Sequence, residues 1–114
     1  MQLDLKARGF SLTPALNAAT RRQARRLANR LGDRLVRLQV RLFDVNGCRG
    51  GLDKGCLVAA SIGGRRTAVA SSFDSDLYRA IPEAFDKLLG AVVAATRREH
   101  ALRRPRARRL PSNA

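Results

Sequence analysis

The sequence predicts an α+β domain of order β-α-β-β-β-α, a four-stranded mixed sheet with two helices packed on one face. Three observations carry this. Four stretches alternate with a period of two, as strands do, and two longer ones repeat apolar residues every three or four positions, as helices do. The connection between the first two strands is long enough to hold a helix, whereas the later ones are short. A strand, a crossover helix and a strand make a parallel pair, and short connections then add an antiparallel meander.

Each element has its own local reason. Residues 2–7 alternate, with Leu3, Leu5 and Ala7 on one side. Thr13-Pro14 is a helix start: the threonine hydroxyl caps free backbone N–H groups, and proline at the first helical position loses no bond. At 100° per residue, Leu16, Thr20, Ala24, Leu27, Ala28 and Leu31 share one face, opposite Arg21, Arg22, Arg25, Arg26 and Arg30. Gly32 ends the helix.

Residues 34–45 form the clearest strand, with Val36, Leu38, Val40 and Leu42 alternating against Arg37, Gln39, Arg41 and Phe43. A glycine-rich loop from Asn46 to Lys54 follows. Cys56, Val58, Ala60 and Ile62 mark the third strand, Gly63-Gly64 a tight hairpin turn, and Thr67, Val69, Ser71 and Phe73 the fourth strand. Asp74, Ser75 and Asp76 offer a cap and first-turn acids for a second helix, whose apolar face runs through Leu77, Ile81, Ala84, Leu88, Val92 and Ala95. Pro82 lies inside that pattern. Either the helix kinks there, or Pro82 begins the longer helix and residues 76–81 form a separate turn. Both helices bear a single apolar stripe, so both cover one sheet face and leave the other wet, with Arg37 and Arg41 upon it.

Length and charge narrow the function. The 114 residues make one domain, and a hydrophobic fraction of 45% supplies its core. Twenty-three Lys and Arg stand against nine Asp and Glu, a formal net charge of +14. That excess leaves many cations without acidic neighbours and favours a polyanionic partner. No apolar run reaches the ~20 residues of a membrane helix, and the N-terminus lacks the apolar region of a secretory signal. A cytoplasmic address with reduced thiols follows as the default. The charge divides unevenly: 16 basic and 8 acidic residues up to Thr96, then 7 and 1 from Arg97 to Ala114. The chain therefore reads as a domain over residues 1–100 and a basic flexible tail over 101–114, which serves either solubility or the capture of phosphates.

Enzyme chemistry has little to stand on. His100 is the only histidine and borders the tail. Cys48 and Cys56 lack the paired spacing and further ligands of a zinc site, and Cys56 falls on the apolar side of its strand. Asn46 to Gly51 lacks the spaced glycines and Lys-Ser/Thr pair of a phosphate-binding loop. No catalytic residue, metal site, cofactor or small-molecule substrate is expected.

The first helix says more. Arg22, Arg26 and Arg30 form one row, and Arg21 and Arg25 a second, with no acidic partner. Like charges at that spacing repel by a few tenths of a kcal/mol per pair. A polyphosphate converts that repulsion into binding through charge neutralisation and counterion release, and guanidinium forks suit phosphate. Only five aromatic residues occur, in no aromatic-rich strand motif, so backbone and shape recognition is expected rather than base stacking.

Three segments carry a resemblance: Leu-Thr-Pro-Ala-Leu at 12–16, Val-Arg-Leu-Phe-Asp-Val-Asn-Gly-Cys-Arg-Gly-Gly-Leu-Asp-Lys-Gly-Cys at 40–56, and Asp76-Leu77-Tyr78-Arg79-Ala80-Ile81 followed by Asp86-Lys87-Leu88. With the element order they resemble the ribosome hibernation promoting factor / ribosome-associated inhibitor (sigma-54 modulation protein) family, in a short form, over about residues 1–100. The resemblance implies a cytoplasmic protein that binds the small ribosomal subunit in the channel used by mRNA and tRNA. The chain departs from the family's pattern at Gly90–Ala95, where members carry several basic residues, at Pro82, and at Cys48, where proline is expected.

The expected contacts with rRNA are Arg22, Arg25, Arg26 and Arg30 on the first helix, Lys87, Arg97 and Arg98 on the second, and more weakly Arg49 and Lys54. The protein is expected to be a monomer or weak homodimer without a membrane partner. The alternatives are a general structured-RNA-binding or ribosome-assembly protein and, in another class, a small redox or metal enzyme using the cysteines.

Overall fold

A computed structural model describes residues 2–44, 54–63 and 66–113, and side chains within 2–44, 54–63 and 67–97. The observed order is β1 (Gln2–Arg8), α1 (Pro14–Leu31), a 3-10 turn (Gly32–Arg34), β2 (Leu35–Asp44), β3 (Lys54–Ile62), β4 (Arg66–Asp74) and α2 (Leu77–Asn113). The sheet is mixed and runs β1-β2-β3-β4, with β1 parallel to β2 and the other pairs antiparallel. The fold is therefore the α+β arrangement that the alternation and the loop lengths predict.

The helix ends are built as their residues dictate. The backbone N–H of Leu16 donates to the Thr13 hydroxyl at 3.1 Å, with Pro14 at the head of α1. Gly32 closes the helix at φ +61°, a left-handed conformation that costs glycine little, and its N–H donates to the Ala28 carbonyl. At α2 the N–H of Tyr78 donates to the Asp76 carboxylate at 2.9 Å, so Asp76 is the cap. Gly9, at φ +90°, lies against the backbone of Asp44, where a Cβ would stand 2.8 Å from the carbonyl oxygen.

One core joins both helices to one sheet face. Leu16, Ala24, Leu27 and Leu31 of α1 meet Leu38, Val40 and Leu42 of β2, Cys56, Val58 and Ala60 of β3, and Ile81, Ala84, Phe85, Leu88 and Val92 of α2. Thr20 is buried among them because its hydroxyl donates to the Leu16 carbonyl at 2.9 Å, which satisfies the one polar group it brings.

The structure departs from the sequence reading at Val36 and Pro82 and adds the facing of β4. Val36 is 49% exposed rather than in line with Leu38, because a bulge shifts the β2–β3 register between Leu35 and Arg37 and turns Leu35 inward instead. Thr67, Val69, Ser71 and Phe73 face the open side, while Ala68, Ala70 and Ser72 face the helices. Helix α2 passes through Pro82 without a break and spans Leu77–Asn113. Arg, Ala and Leu dominate residues 101–110 and favour a helix, whereas Pro105 and Pro111 each remove a backbone bond from it.

Candidate nucleic-acid interface

The outer side of α1 is the densest cationic surface among the described residues. Arg21, Arg22, Arg25, Arg26 and Arg30 are all exposed, since the buried positions Leu16, Thr20, Ala24, Leu27 and Leu31 occupy the opposite arc. The row Arg22–Arg26–Arg30 spans two helical turns, about 12 Å at 1.5 Å per residue. Two of the five hold neutral partners: Arg21 Nε donates to the Asn17 side chain at 2.8 Å, and Arg26 to Gln23 at 3.3 Å. Neither bond offsets charge. The two ion pairs found among the described residues lie elsewhere, between Arg41 and Asp4 at 3.3 Å and between Lys54 and Asp44 at 3.6 Å.

The row is not parallel to the helix axis. With 3.6 residues per turn, each step of four advances 40° around the barrel of the helix, so Arg22 faces outward while Arg26 and Arg30 approach α2. There they line a cleft of about 230 Å3 with Gln23, Asn29, Phe85, Asp86 and Leu89. Asp86 is the acid nearest this row, and it forms no ion pair with it within 4.0 Å.

The other predicted contacts do not join this surface. Lys87 leaves α2 on the opposite flank and donates to the Ser71 carbonyl of β4 at 3.4 Å. Lys54 is engaged by Asp44 beside the start of β3. Arg97 is exposed further along α2, whereas Arg49 and the side chain of Arg98 lie outside the described residues. The structure thus gathers Arg22, Arg25, Arg26 and Arg30 into one face and leaves Lys54 and Lys87 apart from it. Lys6 and Arg8, outward on β1, add exposed cations that the sequence reading passed over. The alternation of β1 was the available signal, since Gln2, Asp4, Lys6 and Arg8 share one parity.

Nucleophilic chemistry finds no support at Cys56. The residue is fully buried, and that burial pushes its thiol up to about 12, which disfavours the reactive thiolate. No group of three or more metal-ligating side chains occurs among the described residues. No helix among them is long and apolar enough to cross a membrane.

A two-helix, one-sheet domain with an uncompensated arginine face has a surface charge that suits a polyanion. The model of the sigma 54 modulation protein / S30EA ribosomal protein family matches residues 3–99, and the chain belongs to that family, one of ribosome-associated factors. No curated protein matches the chain. Among solved structures, the Thermus thermophilus Protein Y N-terminal domain is similar at 24% identity and a TM-score of 0.64, covering 77% of this chain and 91% of that one. A ribosomal subunit interface protein from Coxiella burnetii is similar at 18% identity and a TM-score of 0.66, covering 84% and 99%. At these identities the two structures support the fold.

Proposed function

We propose that this protein is a hibernation or translation-inhibition factor that binds small-subunit rRNA in the channel of mRNA and tRNA, with the arginine face of α1 laid along phosphates. The observation that carries the reading is the set Arg22, Arg25, Arg26 and Arg30, all exposed and without an acidic partner among the described residues. Family membership supplies the ribosome as the polyanion, and the Coxiella relative is itself described as a subunit interface protein. The protein acts in the cytoplasm as a monomer or weak homodimer. Arg97 and Arg98 extend the grip beyond α1, and residues 101–114 serve as a basic arm that speeds capture.

Co-sedimentation with small subunits over a range of salt tests the reading. Replacing Arg22, Arg26 and Arg30 together by Ala weakens binding and flattens the slope of log affinity against log salt by roughly two to three units, at ~0.7 to 0.9 per phosphate contact. The melting temperature holds or rises slightly, because all three residues lie outside the core and their mutual repulsion is relieved. Replacing Arg37 and Arg41 on the open sheet face gives a smaller loss. If the triple variant keeps both affinity and slope while the sheet pair abolishes them, the rRNA lies on the other side of the molecule.

One observation favours a second reading, a general binder of structured RNA. The exposed middle of α2 offers Gly90, Ala91 and Ala94 rather than bases, so the grip rests mainly on one helix. Competition separates the two: free duplex RNA at matched phosphate concentration displaces a general binder from the ribosome and leaves a hibernation factor bound.

A further inference from the structure

The face of the sheet turned away from the helices is not a uniform solvated surface. Register places four residues in one row across all strands: Arg8 of β1, Phe43 of β2, Gly55 of β3 and Phe73 of β4. The adjacent row is Lys6, Arg41, Leu57 and Ser71. Cations therefore occupy the β1–β2 half and apolar groups the β3–β4 half, and an open groove of about 700 Å3 lies along Lys6, Arg8, Arg41, Phe43 and Leu57.

Gly55 permits the aromatic pair. A Cβ at that position would collide with the Phe43 ring and stand 2.8 Å from Cε1 of Phe73, so its absence lets the two rings close over β3. Their centroids are 5.5 Å apart and their planes tilted by 59°. Phe73 nevertheless remains 47% exposed, as does Val69 further along β4 at 56%. Two aromatic rings held together on a wet sheet face, outside the core, present π surface to whatever lies above them.

Charge selects the occupant. Lys6, Arg8 and Arg37 are exposed and have no ion-pair partner among the described residues, while the two acids here, Asp4 on the face and Asp44 at the groove, are engaged by Arg41 and Lys54. A second copy of a chain carrying +14 would bring like charges together here. A duplex hides its bases and shows mainly phosphates and grooves, whereas an unpaired strand offers both a base face for the rings and phosphates for the cations.

We propose that this open face is a second nucleic-acid surface, specific for single-stranded RNA, with a base stacked on Phe43 and Phe73 and the adjoining phosphates on Lys6 and Arg8. It is carried by a different face and different chemistry from the arginine rows of α1, and it stands whether or not the ribosomal reading holds. On this proposal stacking adds to the backbone and shape recognition expected from the sequence: the rings are 30 residues apart in sequence and meet only through the β2–β3–β4 register.

The test titrates the full chain with end-labelled oligo(U) of about ten nucleotides, an unstructured probe within the usual span of single-strand sites. Phe73→Leu keeps apolar cover over Gly55 but removes the π face, and it lowers affinity by about tenfold at every salt concentration without changing the salt slope. Phe43→Leu behaves alike. Lys6→Ala with Arg8→Ala does the reverse, flattening the slope by about 1.4 units at ~0.7 per single-strand contact. The Phe73→Leu factor persists in the background of the α1 triple variant, since the two surfaces are independent. Oligo(U) affinity that ignores both phenylalanines, or an effect of Phe73→Leu that vanishes once α1 is neutralised, overturns the proposal. So does a dimer seen by sedimentation that Phe73→Leu dissolves while oligo(U) affinity stays unchanged, for then a second copy covers the face.

Discussion

At the scale of single residues, Cys56 shows how burial acts on both reactivity and stability. Its thiol is pushed from 9.0 to about 12 by desolvation, so the folded protein holds the proton while the unfolded chain releases it above pH 9. A raised folded-state value means the contribution is fully present below pH 9 and is lost as pH climbs toward 12, at about 1.4 kcal/mol per pH unit. The stability advantage of the native protein over Cys56→Ala should therefore shrink between pH 9 and 11; a constant difference in denaturant melts across that range would contradict the burial. A thiol reagent at neutral pH should likewise leave Cys56 unmodified while Cys48, in the glycine-rich loop, reacts quickly, and equal fast labelling of both would place Cys56 on the wrong side of its strand. That side was legible from alternation alone. Val36 was not, because a bulge changes parity without changing composition. Nor was the Phe43–Phe73 pair, because cross-strand neighbours depend on register, which no single strand records.

Among the elements, α1 was the most legible, since its cap, its glycine stop and its five core positions all agree with one helix. Helix α2 was harder. Asp76 caps it as its sequence suggests, yet Pro82, two turns in, argued for a kink or a late start, and Ala80 and Phe85 join the core beyond the expected stripe. Packing explains the outcome: Leu77, Ala80 and Ile81 before the proline and Ala84, Phe85 and Leu88 after it are all buried in one core, which keeps both parts in one continuous helix. The proline still denies the Tyr78 carbonyl a backbone donor. Pro82→Ala should therefore stabilise the domain by about 1–3 kcal/mol, less than the full penalty because alanine also loosens the unfolded chain. An unchanged or lowered melting temperature would show that the helix has already relaxed around the ring.

On the scale of the whole molecule, a second concentration of charge lies toward the far end of α2. Helix α2 has 37 residues, about 55 Å at 1.5 Å per residue, and largely sets the longest dimension of 63 Å in a molecule otherwise 28 by 18 Å. Among its described side chains the last buried one is Val92, and the family match ends at residue 99. Residues 101–114 hold five arginines and no acid, so they bring +5 of the net +14 and lie beyond the residues matched by the family. The segment therefore adds to the long-range attraction that the α1 arginines already supply. Ending the chain after His100 should leave the melting temperature within about 2 °C of the full protein, since no known core residue is lost. Ribosome affinity should fall several-fold at low salt, through a slower association rate, and the gap should close as salt rises and screens the missing charge. If all five arginines reach phosphates, the salt slope flattens by about 3.5 to 4.5 units; no change in slope reduces the segment to a solubility tag. A fall in melting temperature of more than about 5 °C would instead mean that the distal part of α2 packs against the domain and helps to hold it.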